Sequence, residues 1–297
     1  SLYNGALDGL SLSGDRFFYG NPLAADGNYG RSEWFGTACC PSNIARLVES
    51  LGNYIYASSD NAIWVNLFVG SNTTVPLRAG NVQIAQQTAY PWDGTVKITL
   101  NPAKAQSFPL YIRIPGWAQG QPVPGNTYHY ADGLDSSFRL TLNGAPVKYS
   151  VQQGYAVIET KWKKGDVVML GLPMPVRRIA AIDSVRADQG RVALQRGPLV
   201  YCVEQPDNAG KVKSFVVPDD AVFHASYDRS TLGGVVVITS ELPVLIPDET
   251  KQNIKTVKEP ITAIPYFSWD NRGNAEMQVW LPVKIGSVTI RTGNGED

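Results

Sequence analysis

A chain of 297 residues is long enough for two domains with sizeable cores, at the usual ~100–200 residues per domain. Its 43% hydrophobic and 18% charged residues exclude a disordered chain, and Lys+Arg and Asp+Glu both total 26. Neither sign runs in blocks, so no electrostatic footprint for nucleic acid or an anionic membrane is present.

In chain order, residues 1–38 come first, rich in Gly, Asn and aromatics and without a strong period. They show no basic segment followed by an apolar one, so no signal peptide is expected. From Pro41 to Tyr56 the spacing of Ile44, Leu47, Val48, Leu51 and Ile55 predicts one amphipathic helix. Pro41 suits a first helical turn, where its missing N–H is no loss, so Cys39 and Cys40 fall at or just before the helix start. Short β-branched or aromatic runs follow at Ala62–Val69, Thr95–Leu100, Leu110–Ile114, Phe138–Leu142 and Tyr155–Thr160. More lie at Val167–Leu172, Val192–Gln195, Leu199–Val203, Val235–Thr239, Ile261–Phe267 and Met277–Leu281. Turn chemistry separates them, with Asn143-Gly144 a strong hairpin signal. Many short strands so spaced predict a mainly β chain of antiparallel sandwiches. Asp248–Pro260 reads as a charged, linker-like segment, and residues 284–297 as a flexible polar tail. No apolar run approaches the ~20 residues of a membrane span, so no membrane partner is expected.

Three cysteines cannot form a disulfide framework, and adjacent Cys39 and Cys40 rarely reach disulfide geometry. Cys202, inside an apolar strand run, reads as a small buried hydrophobe. A thiol becomes nucleophile or metal ligand only as thiolate, which a helix N-terminus favours. Two adjacent thiolates repel, and a soft divalent ion such as zinc would relieve that repulsion, usually with four ligands. From the pair alone three readings stay open: buried structural thiols, metal ligands, or a nucleophile. Nothing nearby completes a site by spacing. His129 and His224 are isolated in the strand region, and Glu33 is either a solvated loop carboxylate or a side chain that reaches the thiols. Asp132 and the Asp219-Asp220 pair read as turn acids without calcium-loop spacing. Trp34, Trp92, Trp117, Trp162, Trp269 and Trp280 include possible sugar platforms, with core packing the default.

Several segments together carry a resemblance. Phe17-Phe18-Tyr19-Gly20-Asn21-Pro22-Leu23, Trp34-Phe35 and Cys39-Cys40-Pro41-Ser42-Asn43 are followed by LYIRIPGW (110–117), WKKGD (162–166), RGPLVYCV (196–203), PYFSWDNR (265–272) and EMQVWL (276–281). The series resembles the β-L-arabinofuranosidases of glycoside hydrolase family 127 over roughly residues 1–283. That resemblance implies two antiparallel β-sandwich domains preceded by a short helical remnant of an (α/α)6 barrel. The remnant would be 1–56, sandwich I 57–165 with 261–283, and sandwich II 166–260 inserted into it.

The resemblance also implies a retaining hydrolase acting on an arabinofuranoside-type carbohydrate. Cys39 would be the catalytic nucleophile, and Cys39 and Cys40 would both bind a zinc cofactor. The other zinc ligands and the acid/base glutamate would belong to an upstream barrel segment, on the same or another chain. This sequence then carries half the metal site. The alternative is a non-catalytic β-sandwich module for carbohydrate binding or structural support.

Overall fold

The computed structural model describes residues 2–134, 137–208, 212–249 and 253–284. The chain divides into two compact units: Ala45–Gly125 with Gly133–Pro175, and Ser1–Ile44 with Asn126–Asp132 and Val176–Asp297.

The smaller unit is a sandwich of two sheets. One runs in the order Ala145–Pro146, Arg139–Leu142, Asp166–Gly171, Thr95–Pro102, Val82–Thr88, Ser71–Val75. The other runs Ser150–Gln152, Tyr155–Trp162, Gln106–Arg113, Ile63–Val65, Tyr56–Ser58. Alternate residues point to opposite faces of a strand, which sends Val96, Ile98 and Leu100 from one sheet and Leu110 and Ile112 from the other into a shared core. Trp162 is fully buried there, its indole N–H donating to the Phe108 carbonyl at 2.9 Å. All described pairings in this unit are antiparallel except Ile63–Val65, which runs parallel to Gln106–Arg113. The Asn143-Gly144 hairpin forms as expected, with both residues at positive φ (51° and 84°), the geometry of a two-residue turn matched to strand twist.

The larger unit is built on one connected ten-stranded sheet. Its main path is His224–Asp228, Val235–Pro247, Ile254–Pro265, Leu199–Glu204, Arg191–Arg196, Val176–Ala181 and Tyr128–Tyr130. Tyr128–Tyr130 joins through an excursion of the chain. Asp132 ends that excursion by accepting from the Arg177 guanidinium at 2.6 Å, while Arg177 lies 3.7 Å over the Tyr130 ring. Ala24–Asp26 pairs with Glu276–Gln278, tying residues near the start of the chain to its C-terminal part.

The domain boundaries differ from the expectation. Asp166–Gly171 does not open a second sandwich; it pairs with Thr95–Pro102 and Arg139–Leu142, because Val168 and Leu170 complete the smaller core. Nor does Ile261–Leu281 return to the first sandwich. Cys202 and Val203 pair with Ile264 and Ala263, and fully buried Ile261, Ala263 and Ile264 belong to the larger sheet. Asp248–Pro260, read as a linker, contains strand from Ile254 onward. Its charged residues face outward on a hairpin with Val235–Pro247, so their polarity hid the pairing. The helix is shorter than expected: α1 spans Cys39–Ser50, and a tighter turn follows over Leu51–Tyr54. Gly52 and Asn53 are poor helix formers, and Tyr56 already pairs in a strand. The tail expected to be flexible lies outside the described residues beyond Lys284.

Candidate active site

Cys39 and Cys40 are the first two residues of α1, with Pro41 buried behind them. Proline fits here because early helical N–H groups have no partner inside the helix. Ser42 Oγ donates to the Ala38 carbonyl and Asn43 Nδ2 to the Cys39 carbonyl (2.8 and 2.7 Å), so the first turn is fixed by its own polar side chains. Ile44 reaches back over Gly9, where a β-carbon would collide with its terminal methyl.

The Cys39 side chain is exposed and Cys40 half-exposed in this chain. Their sulfurs lie 3.7 Å apart. Tyr19 Oη sits 2.8 Å from Cys39 Sγ, and its ring meets Phe35 edge-on at 5.0 Å. Hydrogen bonds from Tyr19 and Cys40 hold the Cys39 thiol below the ordinary thiol range. Its contact with Cys39 pushes the Tyr19 phenol up to about 12.

A tetrahedral zinc ion with sulfur at about 2.3 Å spaces two thiolates about 3.8 Å apart, so this pair fits one edge of such an ion. The other half of a ligand set is not supplied by the described residues, where no cluster of three or more His, Cys, Asp or Glu could hold a metal. Glu33 does not approach the sulfurs; it accepts from Arg16 at 2.8 Å.

The remaining sequence candidates separate cleanly. His129 and His224 are exposed on strands of the larger sheet. Cys202 is buried, and burial pushes its thiol well above the ordinary range. Asp132 is taken by Arg177, and the Asp219 carbonyl accepts from Arg178. Trp162, Trp269 and Trp117 are core residues, and Trp92 and Trp280 are half-buried. Trp34 is 56% exposed, packed edge-on against Phe17 at 5.5 Å.

Sequence reasoning missed two things. Tyr19 was visible only as part of an aromatic run. A buried ionic cluster was not visible at all: Asp8, Arg31, Glu204 and Asp270 are each under 10% exposed. Arg31 N–H donates to Asp270 Oδ2 at 2.6 Å, Asp270 N–H to Glu204 Oε1 at 2.8 Å, and Arg272 Nη2 to Glu204 Oε2 at 2.5 Å. Burial pushes the Asp8 carboxyl up to about 7, with Arg31 pulling the other way. Long sequence separations between the partners left no local signal.

Comparison with known proteins gives a consistent picture along the chain. The family model described as "Beta-L-arabinofuranosidase, GH127 catalytic domain" matches residues 1–53, the GH127 middle domain 62–174, and the "Glycoside hydrolase family 127 C-terminal domain" 176–282. A curated relative, the "Non-reducing end beta-L-arabinofuranosidase" of Bifidobacterium longum subsp. longum, is 33% identical over 94% of this chain and 44% of its own length. A solved GH127 β-arabinofuranosidase is 40% identical with a TM-score of 0.91, covering 95% of this chain and 44% of the other. The GH127 β-L-arabinofuranosidase from Geobacillus stearothermophilus T6 is also 40% identical, with a TM-score of 0.83 over 95% and 45% of the two chains. The chain thus spans less than half the length of these relatives.

Proposed function

Because the chain belongs to glycoside hydrolase family 127, we propose that it carries the nucleophile and half of the metal site of a retaining β-L-arabinofuranosidase. The observation that supports this reading most is the exposed Cys39 sulfur. It lies 3.7 Å from Cys40 Sγ and 2.8 Å from Tyr19 Oη, within the residues matched by the catalytic-domain model. Cys39 and Cys40 are the residues that would hold zinc, which when bound supplies the positive charge that keeps two neighbouring sulfurs anionic.

The Cys39 thiolate attacks the anomeric carbon of the arabinofuranoside, forming a carbon–sulfur bond as the glycosidic bond breaks. The leaving oxygen takes a proton from an acid contributed by the upstream barrel segment. Water then gives one proton back to that acid's conjugate base and attacks the same carbon, the carbon–sulfur bond breaks, and Cys39 returns as thiolate. Two inversions leave the configuration retained, the two-step logic of carboxylate glycosidases with sulfur in place of oxygen. The Tyr19 hydroxyl donates to the sulfur in the resting state and again as the thiolate leaves.

The chain alone binds zinc weakly and turns over no aryl β-L-arabinofuranoside. Joined to the upstream segment, it forms a pentosyl adduct on the Cys39 peptide. Intact-mass and peptide mass spectrometry of a quenched turnover mixture test this. An adduct on a carboxylate instead of Cys39, or turnover that survives Cys39→Ser, would overturn the reading.

A further inference from the structure

The Tyr19 side chain is 44% exposed and its ring meets Phe35 edge-on, so the aim of its hydroxyl depends on how firmly the backbone beside it is held. Its neighbours in the chain are held unusually hard. Phe18 is 2% exposed and lies between two near-parallel rings, Trp269 at 4.8 Å and Tyr29 at 5.3 Å. The Arg31 guanidinium stands 4.1 Å from the Phe18 ring centroid. Phe18 N–H donates to the Gly9 carbonyl at 3.1 Å. On the other side of Tyr19, the Tyr266 hydroxyl donates to the Pro22 carbonyl at 2.8 Å.

Arg31 is in turn held from the C-terminal part of the chain. Its backbone N–H donates to Asp270 Oδ2 at 2.6 Å, and its guanidinium donates to the Trp269 carbonyl at 3.3 Å and pairs with Asp8 at 3.6 Å. Asp270 sits at φ +56°, a left-handed conformation that costs a non-glycine residue and points its carboxylate back at residue 31. A buried ionic cluster of this kind adds little net stability over apolar packing of the same volume, so what it contributes is fixed geometry.

We infer that Tyr266–Asp270, acting through Phe18 and Arg31, is a positioning element that aims the Tyr19 hydroxyl at the Cys39 sulfur. Phe18, Arg31, Trp269 and Asp270 are positioning residues, since none of them touches the sulfur. This rests on the reading of Cys39 as nucleophile. It makes the C-terminal part of the larger unit a component of the reaction rather than an appendage to it.

The test places 3-fluorotyrosine at position 19 of the whole chain joined to its upstream segment, and follows fluorine NMR alongside turnover of p-nitrophenyl β-L-arabinofuranoside. Asp270→Ala and Phe18→Leu should each move the fluorine resonance to the position of the free amino acid. Each should lower kcat by about tenfold, with KM held within about twofold. Asp270→Asn keeps an oxygen to accept from the Arg31 N–H and should restore both readouts. Val237→Ala, a core change in the same sheet, lowers stability and should leave the resonance in place.

A resonance unmoved by Asp270→Ala and Phe18→Leu, or moved as far by Val237→Ala, overturns the inference. If the unsubstituted protein shows the fluorine response but no turnover, the hydrolase reading falls and the positioning contact stands. Turnover without the fluorine response removes the positioning element alone.

Discussion

The two compact units bury different kinds of side chain. In the smaller sandwich the buried side chains are almost wholly apolar, Gln86 and Gln106 being the buried polar residues among those described. In the larger unit the ionisable side chains of Asp8, Arg31, Arg177, Glu204 and Asp270 are all buried, and the exposed Cys39 and half-exposed Cys40 lie in the same unit. Apolar burial stabilises without regard to direction, whereas a buried ion is tolerated only in one arrangement of partners. The smaller unit is therefore built for stability, and the larger one holds atoms at defined separations.

Substitution separates these two roles. The largest expected effect is on chemistry: Cys39→Ser in the complete protein should cut turnover by about a thousandfold or more while leaving the melting temperature unchanged. A matched fall in melting temperature would place Cys39 with the structural residues. Next come the two interiors. Trp162→Ala should cost about 3–5 kcal/mol through a cavity, and Glu204→Ala about 1–3 kcal/mol by leaving the buried Asp270 N–H without its acceptor, while Arg272 keeps its pair with Asp207. Denaturant melts measure both. Only the second should also depress kcat, and a loss of kcat in Trp162→Ala beyond its unfolded fraction would erase the contrast.

A third effect is pH-dependent and confined to the larger unit. The Asp8 carboxyl titrates at about 7 in the folded chain and near the ordinary aspartate value when unfolded, so the folded state binds the extra proton between those limits. Stability from this group is therefore greatest below about pH 4 and falls as pH rises to about 7. Asp8→Asn should flatten the slope of melting temperature against pH across that window, whatever its effect on the absolute value. A slope that persists unchanged would assign it to other groups. The smallest effect belongs to the smaller unit: Gly144→Ala, at φ +84°, should cost about 1 kcal/mol and leave activity untouched.

Legibility from sequence followed the range of each interaction. The alternating run Thr95–Leu100 and the short apolar run Leu199–Val203 announced their strands because both patterns are local. Helix α1 was visible from its 3.6-residue stripe and from Pro41, and with it the place of the two thiols. Which strand pairs with which was not visible. Asp166–Gly171 and Ile254–Pro265 look equally suited to either unit until the partners of Val168 and Ile264 are known.

The site divides the same way. The family and the thiol pair could be read from the linear order of residues, since motif identity and helix position are properties of neighbours in the chain. The tertiary structure alone decided that the sulfurs stand 3.7 Å apart in the open, that Tyr19 meets one of them, and that Glu33 turns away to Arg16. It alone brought Asp270 to Arg31 across 239 positions of sequence. A carboxylate carries no local mark of its distant partner, because the free energy that selects the pairing exists only once both are withdrawn from water.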